Sequence, residues 1–273
     1  MNFRRPALLV IAGLLSLLTS VSIYASEPEI PSQWQGKKVA YLGDSITDKG
    51  QLRGTVTYWK AFEDILGTVS FVYGISGHEM KDIIGQAEKL EAEHGQDFDA
   101  IMIFIGTNDY NMSVPLGEWY TETTEVVTID GPIEVKRRHR EFIYTEDTFR
   151  GRTNMAMNYL KTHFPTKQII VLTPIHRAYF YWSPTNIQPD ESYTNAIGLY
   201  VSDYVDALKE TANVWSVPVI DLNAICGLMP LNEAQQQYFR NKERDLLHPN
   251  TAGHARMAYS IAYQLQAFPS CFE

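Results

Sequence analysis

Residues 38–47 read KVAYLGDSIT, a run of apolar residues that ends in Gly43, Asp44 and Ser45. The apolar residues are nearly continuous, whereas a strand with one face in water shows an alternating pattern. This stretch therefore predicts a strand buried on both faces, which is typical of a parallel sheet covered by helices. Ligands bind at the carboxyl ends of such strands, so we expect Ser45 at the functional edge of the sheet.

Four further apolar runs have the same character. With the first run, Lys38–Asp44, they are Val69–Tyr73, Ala100–Gly106, Gln168–Thr173 and Val217–Leu222. The segments between and after them predict helices at Thr57–Leu66, Met80–Ala92, Thr148–His163, Tyr193–Thr211 and Thr251–Gln266. This alternation predicts an α/β fold, a three-layer sandwich with a five-stranded, mainly parallel, doubly wound sheet. We expect residues 26–273 to form it as a single domain.

One long stretch, about residues 110–147, departs from the alternation. Residues 121–127 (TETTEVV), followed by the turn-forming residues 130–132 (DGP), predict an exposed hairpin. Its basic cluster, residues 136–140 (KRRHR), has two interpretations. It meets an anionic substrate, or it forms a solvated hairpin face opposite Glu122 and Glu125, which is the interpretation we favour.

The composition is that of an acidic globular protein. The 273 residues include 23 Lys and Arg against 32 Asp and Glu, a formal net charge of −9, and 45% hydrophobic residues. This hydrophobic content is too high for a disordered chain. Proteins that bind nucleic acid need a concentrated positive surface, so nucleic acid is excluded as a partner.

The first 25 residues have the pattern of a secretory signal peptide. Arg4 and Arg5 precede an apolar run over residues 7–18, and small residues lead to a cleavage position after Ala25 or Ser26. Serine and threonine residues interrupt the run and no second span follows, so we expect no stable membrane anchor. The sequence thus predicts a secreted or periplasmic protein.

Polar groups suited to ester hydrolysis follow three predicted strands and precede the last helix. Ser45 supplies a hydroxyl nucleophile, which needs a base such as His248 and a carboxylate such as Asp245 to orient that base. Asp245 and His248 lie three residues apart in a predicted turn. The N–H groups of Ser45 and Gly77 and the side chain of Asn108 can donate to the oxyanion of acyl transfer. The sequence therefore predicts a serine hydrolase with an oxyanion hole.

These segments resemble the four sequence blocks of the SGNH (GDSL-type) hydrolase superfamily. Residues 43–47 (GDSIT) match its nucleophile block, 75–77 (ISG) its glycine block, 106–109 (GTND) its asparagine block and 245–248 (DLLH) its acid/base block. The resemblance covers about residues 38–266 and favours Gly77 over Gly74 in the oxyanion hole. It implies a flavodoxin-like fold and the hydrolysis of esters without a metal or cofactor.

An aromatic segment, residues 174–182 (PIHRAYFYW), is expected to leave the fourth strand toward the same edge. Because sugar rings and acyl chains both stack on aromatic side chains, Tyr179 and Trp182 are candidate substrate contacts. Arg177 is a third candidate, since a guanidinium can hold a substrate carboxylate. The alternative is that the aromatic residues fold back onto the core and that Arg177 pairs with a local acid.

Other residues of interest have structural interpretations. Asp44 and Asp109 are expected to brace their loops through hydrogen bonds to backbone, and lone histidines such as His78, His176 and His254 are usually structural. Cys226 and Cys271 form either a disulfide, which an oxidising compartment would permit, or two unpaired thiols.

The expected function is that of an exported serine esterase that removes short acyl groups, acetyl above all, from a carbohydrate. A lysophospholipase or thioesterase with the same triad is the first alternative and would need an open apolar groove for the acyl chain. A glycan-binding module without activity is the second alternative. The substrate partner is a small-molecule or glycan ester, and the oligomeric state stays open.

Overall fold

The computed structural model describes residues 32–51 and 54–272. The predicted signal peptide, residues 1–25, lies outside the described residues. Among the helices of the described residues, none combines the length and the apolar character that a bilayer span requires.

Strands and helices alternate along the described chain. The strands are β1 (Lys38–Gly43), β2 (Val69–Val72), β3 (Ala100–Phe104), β4 (Tyr120–Ile129), β5 (Ile133–Phe142), β6 (Gln168–Leu172), β7 (Phe180–Ser183), β8 (Asn186–Gln188), β9 (Val219–Ile220), β10 (Phe239–Asn241) and β11 (Asp245–Pro249). The α-helices are α1 (Tyr58–Leu66), α2 (Ile83–His94), α3 (Thr107–Asn111), α4 (Phe149–His163), α5 (Val201–Trp215), α6 (Leu222–Ile225) and α7 (Thr251–Leu265).

The central sheet has five strands in the order β2–β1–β3–β6–β9, and every neighbouring pair is parallel. The chain moves outward from β1 first to one side and then to the other, so the strand order reverses between β1 and β3. In such sheets the crevice at the reversal point is where ligands bind. This topology places the ends of β1 and β3, and with them Ser45 and Asn108, side by side.

Helices cover both faces of this sheet. Tyr41 of β1 faces a core that contains Phe62 of α1 and Met257 of α7. Its neighbour Leu42 faces the opposite core, which contains residues of α2, α4 and α5. The strand positions alternate between two apolar layers, which is why β1 reads as continuously apolar. The predicted three-layer α/β sandwich with a parallel sheet is confirmed.

The predicted hairpin is present as β4 and β5, which pair from Tyr120 with Phe142 to Ile129 with Ile133. At its base the Phe142 ring stacks on Trp215 with ring centroids 4.6 Å apart, while most of the remaining hairpin residues are exposed. Glu122 accepts hydrogen bonds from Arg138 and Arg140 on the paired strand. These basic side chains therefore face the acidic residues of their own hairpin.

The helix predicted at Tyr193–Thr211 begins later, at Val201, and ends at Trp215. The side-chain oxygen of Asn195 accepts hydrogen bonds from two following backbone N–H groups, and Gly198 has a φ of +83°. Both features hold residues 195–199 in a turn, because an asparagine side chain competes with the backbone for helical hydrogen bonds.

A second sheet was not predicted. It is antiparallel, with the order β10–β11–β7–β8. Asp245 to His248 therefore lie on β11 and not in the turn that the sequence predicted. The four strands have three to five residues each and mix polar with apolar positions, so they carry no clear period.

Candidate active site

Ser45 lies in the turn that directly follows β1. The carboxylate of Asp44 accepts the N–H of Ile46 at 3.0 Å, and the Asp44 carbonyl accepts the N–H of Thr47 at 3.1 Å. Burial raises the pKa of Asp44 to about 7, although the Ile46 N–H favours the charged form. Asp44 therefore braces the nucleophile turn through backbone hydrogen bonds, as its sequence position suggested.

The hydroxyl of Ser45 meets the imidazole of His248. Ser45 Oγ lies 2.9 Å from His248 Nε2, and the ring is largely buried with the edge of Phe180 against it. A hydroxyl within hydrogen-bond distance of an imidazole can transfer its proton to that ring. Two residues from opposite ends of the described chain thus form a nucleophile and base pair.

Asp245 orients this imidazole. Its two carboxylate oxygens lie 2.9 and 3.1 Å from His248 Nδ1, and Oδ1 also accepts the His248 backbone N–H at 2.9 Å. Burial by itself would raise the pKa of Asp245, but the hydrogen bond to His248 and its charge outweigh burial and hold the pKa below its ordinary value. The carboxylate stays charged and leaves Nε2 to accept the serine proton.

A tight turn presents Gly77 beside Ser45. The N–H of His78 donates to the Ile75 carbonyl at 3.1 Å, and Gly77 has a φ of +83°, which glycine adopts without strain. Asp48 accepts hydrogen bonds from both the N–H and the hydroxyl of Ser76. Among the described residues, no acceptor bonds the N–H groups of Ser45 and Gly77, so both are available to a developing oxyanion.

Asn108 provides the third donor from α3. One hydrogen of its amide nitrogen donates to the His78 carbonyl at 2.9 Å, and the second is available to the cleft. Asp109 accepts the Met80 N–H at 2.9 Å and the Arg152 guanidinium at 2.9 Å, while the same guanidinium pairs with Glu79 at 2.7 Å. This buried ionic cluster fixes α3 against the Gly77 turn.

These residues border a cleft of about 310 Å³. The residues identified from the sequence all line it: Ser45, Gly77, Asn108, Asp245 and His248. The antiparallel sheet, which also carries Asp245 and His248, contributes five more lining residues, here called the cleft wall: Phe180, Trp182, Asn186, Gln188 and Arg240. Most of the lining residues have polar side chains, and the aromatic residue Trp182 is 58% exposed.

Of the three candidate substrate contacts, only Trp182 lines the cleft. Tyr179 is exposed but lies outside the cleft lining. Asn186, Gln188 and Arg240 were not predicted from the sequence as residues of the site. The Ser183-Pro184-Thr185 turn after the aromatic segment was a signal for a hairpin that would bring the first two of these beside Trp182.

Arg177 does not contact the substrate cleft, although the sequence made it a candidate. Its side chain is wholly buried and donates to Thr107 Oγ1 at 3.1 Å, Asn111 Oδ1 at 2.8 Å and Gln188 Oε1 at 2.6 Å. Burial lowers the pKa of Arg177 to about 10, which leaves it charged at neutral pH. A guanidinium enclosed in this way does not reach a substrate in the cleft. It joins α3 to the cleft wall from beneath.

The other singled-out residues have structural environments. His176 lies 2.6 Å from Glu191, and His254 is buried against Tyr58. Cys226 and Cys271 are both thiols, so the disulfide alternative is not seen in this structure. Over residues 32–51 and 54–272, no cluster of histidine, cysteine and carboxylate side chains has the arrangement of a metal site.

Comparisons with known proteins identify a family and similar folds. The family described as GDSL-like Lipase/Acylhydrolase matches residues 41–256. A crystal structure of a protein from Lactobacillus plantarum is similar, with a TM-score of 0.66 and 26% identity over 86% of this chain and 99% of that one. No curated protein sequence matches.

Two more distant structures share the fold. A possible lipase from Chitinophaga pinensis has a TM-score of 0.61 and 18% identity over 84% of this chain and 98% of its own. A catalytic mutant of an acetylxylan esterase from Geobacillus stearothermophilus has a TM-score of 0.50 and 19% identity, over 89% of this chain and 98% of its own.

Proposed function

Because the chain belongs to the GDSL-like lipase/acylhydrolase family and is a carboxylic ester hydrolase, we propose that it removes short acyl groups, acetyl above all, from a carbohydrate. The observation that carries the catalytic part of the proposal is the contact chain from Ser45 Oγ through His248 to Asp245, at 2.9 Å for each step. This is the arrangement that activates a serine hydroxyl.

In the proposed mechanism, His248 accepts the Ser45 proton while the serine oxygen attacks the ester carbonyl. The N–H groups of Ser45 and Gly77 and the amide of Asn108 stabilise the oxyanion, and each such donor contributes roughly 3–4 kcal/mol to lowering the barrier. His248 then protonates the leaving alcohol. Water hydrolyses the acyl-enzyme with the same residues in reverse roles, and the Asp245 carboxylate stabilises the imidazolium in both halves.

The residues of the cleft wall suit a substrate whose alcohol part is polar. Asn186, Gln188 and Arg240 line the same cleft as the exposed Trp182, and this combination of hydrogen-bonding groups with an aromatic surface suits a sugar. The acetylxylan esterase with the same fold supports the same substrate class by analogy.

A lipid-directed esterase or thioesterase is the second candidate and uses the same triad. It is favoured by the possible lipase from Chitinophaga pinensis among the similar structures. Against it, the apolar cleft residues are limited to Phe180, Trp182 and Leu247, which is little surface for a long acyl chain.

We further propose that the protein acts outside the cytoplasm. The support is the sequence pattern of the first 25 residues, with its basic start and apolar run. Fusion of these residues to a reporter enzyme would show export if the reporter reaches the periplasm or the medium.

The experiment that tests the function is acetate release from a panel of acetylated polysaccharides, beside hydrolysis of aryl esters of increasing chain length. We expect acetate esters to be preferred, and Ser45→Ala to lose at least about 10⁴-fold in kcat. Ser260→Ala makes the same chemical change outside the cleft and should keep full activity.

Two results would contradict the proposal. Unchanged ester turnover by Ser45→Ala would rule out the mechanism. A preference for acyl chains of about eight carbons or more would favour the lipid-directed alternative.

A further inference from the structure

We propose that Gln86 is a positioning residue that holds the end of the nucleophile strand and the oxyanion turn in register. The inference rests on the proposed function, because it concerns the geometry of Ser45 relative to Gly77. Gln86 lies on α2, outside the four sequence blocks, and it does not line the catalytic cleft.

The Gln86 amide bonds two separate loops. Its Oε1 accepts the Gly43 N–H at 2.8 Å, and its Nε2 donates to the Gly43 carbonyl at 2.8 Å. The same Nε2 lies 2.9 Å from Nδ1 of His78. Gly43 lies two residues before Ser45, and His78 directly follows Gly77, so the Gln86 side chain joins the backbone that carries the nucleophile to the side chain of the residue after an oxyanion donor.

These contacts fix the orientation of the amide. A backbone N–H can only donate and a backbone carbonyl can only accept, so Oε1 and Nε2 of Gln86 cannot exchange places. Because an amide nitrogen only donates, Nδ1 of His78 is the acceptor in its bond with Gln86. The three bonds are therefore mutually consistent only for a carboxamide at this position.

Gln86 takes the place of a missing strand neighbour. β2 ends at Val72 and does not pair with Gly43 at the end of β1. On that edge the Gly43 carbonyl accepts the Ile75 N–H, and the Gly43 N–H is left without a partner from β2. Gln86 is 3% exposed, so its contacts with Gly43 are buried. A buried backbone group without a hydrogen-bond partner is strongly disfavoured. Oε1 of Gln86 accepts the Gly43 N–H and so supplies the bond that a longer β2 would have made.

The contact chain continues to the third oxyanion donor. The His78 carbonyl accepts one hydrogen of the Asn108 amide, and that bond directs the second hydrogen to the cleft. Gln86 thus lies at the centre of a path from Gly43 through His78 to Asn108. A shift of about 1 Å in such a frame lowers turnover by as much as about 100-fold without removing any reacting group.

The test compares Gln86→Met and Gln86→Glu with the wild type on an aryl acetate, which makes few contacts beyond the reacting ester. Met keeps the length and burial but none of the three bonds, so we expect kcat to fall at least about 10-fold with KM within about 3-fold. The introduced carboxylate can accept from Gly43 but repels its carbonyl. Protonation restores a donor, so the ratio of variant to wild-type kcat should rise as pH falls from 7.5 to 5.

Leu90→Ala is the matched control, because Leu90 is buried on the same helix and contacts neither loop through hydrogen bonds. It should lower the melting temperature with kcat unchanged well below that temperature. The opposite result is that the Gln86 variants behave like the control, with a lower melting temperature, an unchanged kcat well below that temperature and no pH dependence of the kcat ratio. That result would show a merely structural role and overturn the inference.

A second readout is independent of activity. Amide hydrogen exchange should speed up together in residues 43–48 and 74–79 of Gln86→Met, and unchanged exchange in both segments would overturn the inference. If instead Ser45→Ala keeps full ester turnover, the proposed function fails, and the exchange experiment still decides whether Gln86 holds the two loops together.

Discussion

His254 shows what the interior does to a titratable group. Its imidazole lies wholly inside the protein at the first turn of α7, where Nδ1 accepts the Tyr58 N–H at 3.1 Å. Burial above all, with the electrostatic influence of the nearby Arg240 and His248, lowers the pKa of His254 to about 3. The imidazole therefore stays neutral in the folded protein over the whole physiological range.

This pKa predicts a loss of stability in acid. Below about pH 6.5 the unfolded chain binds a proton at His254 that the folded protein does not bind until about pH 3. His254→Asn keeps an acceptor for the Tyr58 N–H but does not titrate. Between pH 7.5 and 5 the wild type should lose about 2 kcal/mol of unfolding free energy relative to this variant, by denaturant titration. A constant difference between the two proteins would contradict the buried neutral imidazole.

Trp182 gives the second prediction at this scale. Its exposed ring lines the cleft, so Trp182→Ala should raise KM for an acetylated oligosaccharide about 5- to 10-fold, with little change for an aryl acetate. Tyr179→Ala removes an exposed aromatic ring outside the cleft and is the control. Equal effects of the two substitutions would speak against a sugar platform at Trp182.

At the scale of elements, the hairpin β4–β5 is set apart from the rest of the fold. Asn154 on α4 holds its base through hydrogen bonds to the carbonyls of Trp119 and Ile143. Beyond the base the hairpin's charged side chains pair with one another, as Glu122 does with Arg138 and Arg140. Exposed pairs of this kind contribute little to stability.

Removal of the hairpin should leave the enzyme intact. Tyr120 and Phe142 are paired residues, so an Asn-Gly turn can replace residues 121–141. We expect a melting temperature within about 2 °C of the wild type and aryl acetate hydrolysis within about 2-fold. Retained activity on the aryl ester with reduced activity on a polysaccharide would instead assign the hairpin a role in recognising the polymer.

At the scale of the whole molecule, the two ends of the described chain lie together. The indole N–H of Trp34 donates to the Leu265 carbonyl at 3.0 Å, and Gln33 donates to the Phe268 carbonyl. α1 and α7 pack against each other on the same face of the sheet. Hydrogen bonds and apolar packing, without a covalent link, hold the C-terminal segment to the start of the domain.

The thiols test this account. Burial raises the pKa of Cys226 to about 11, and Cys271 lies 3.9 Å from the Lys37 amino group. Chemical titration of the unfolded protein should count two thiols, and a reducing agent should leave the melting temperature unchanged. A melting temperature that falls in reducing agent would reveal a disulfide between the two cysteines.

Particular residues show which parts of the fold and of the site could be predicted from the sequence. β1 and Ser45 were predictable because a strand buried on both faces is a continuous apolar run in the sequence, and a glycine marks the end of this one. Arg177 was not, because its partners Asn111 and Gln188 belong to other segments and only packing shows that its charge is enclosed. The start of α5 was missed because the side chain of Asn195 overrides the helical pattern.

The amino-acid sequence alone determined the order of the five central strands and of the main helices between them, the layers of the sandwich and the chemical groups at the strand ends, since these depend on local periodicity and residue type. The tertiary structure was needed for everything that depends on distances between remote segments. It brings His248 to 2.9 Å from Ser45, encloses Arg177, builds the cleft wall from a sheet of four short strands and sets Gln86 between two loops. Such contacts follow from packing over the whole chain, because a hydrogen bond between remote segments leaves no period in either of them.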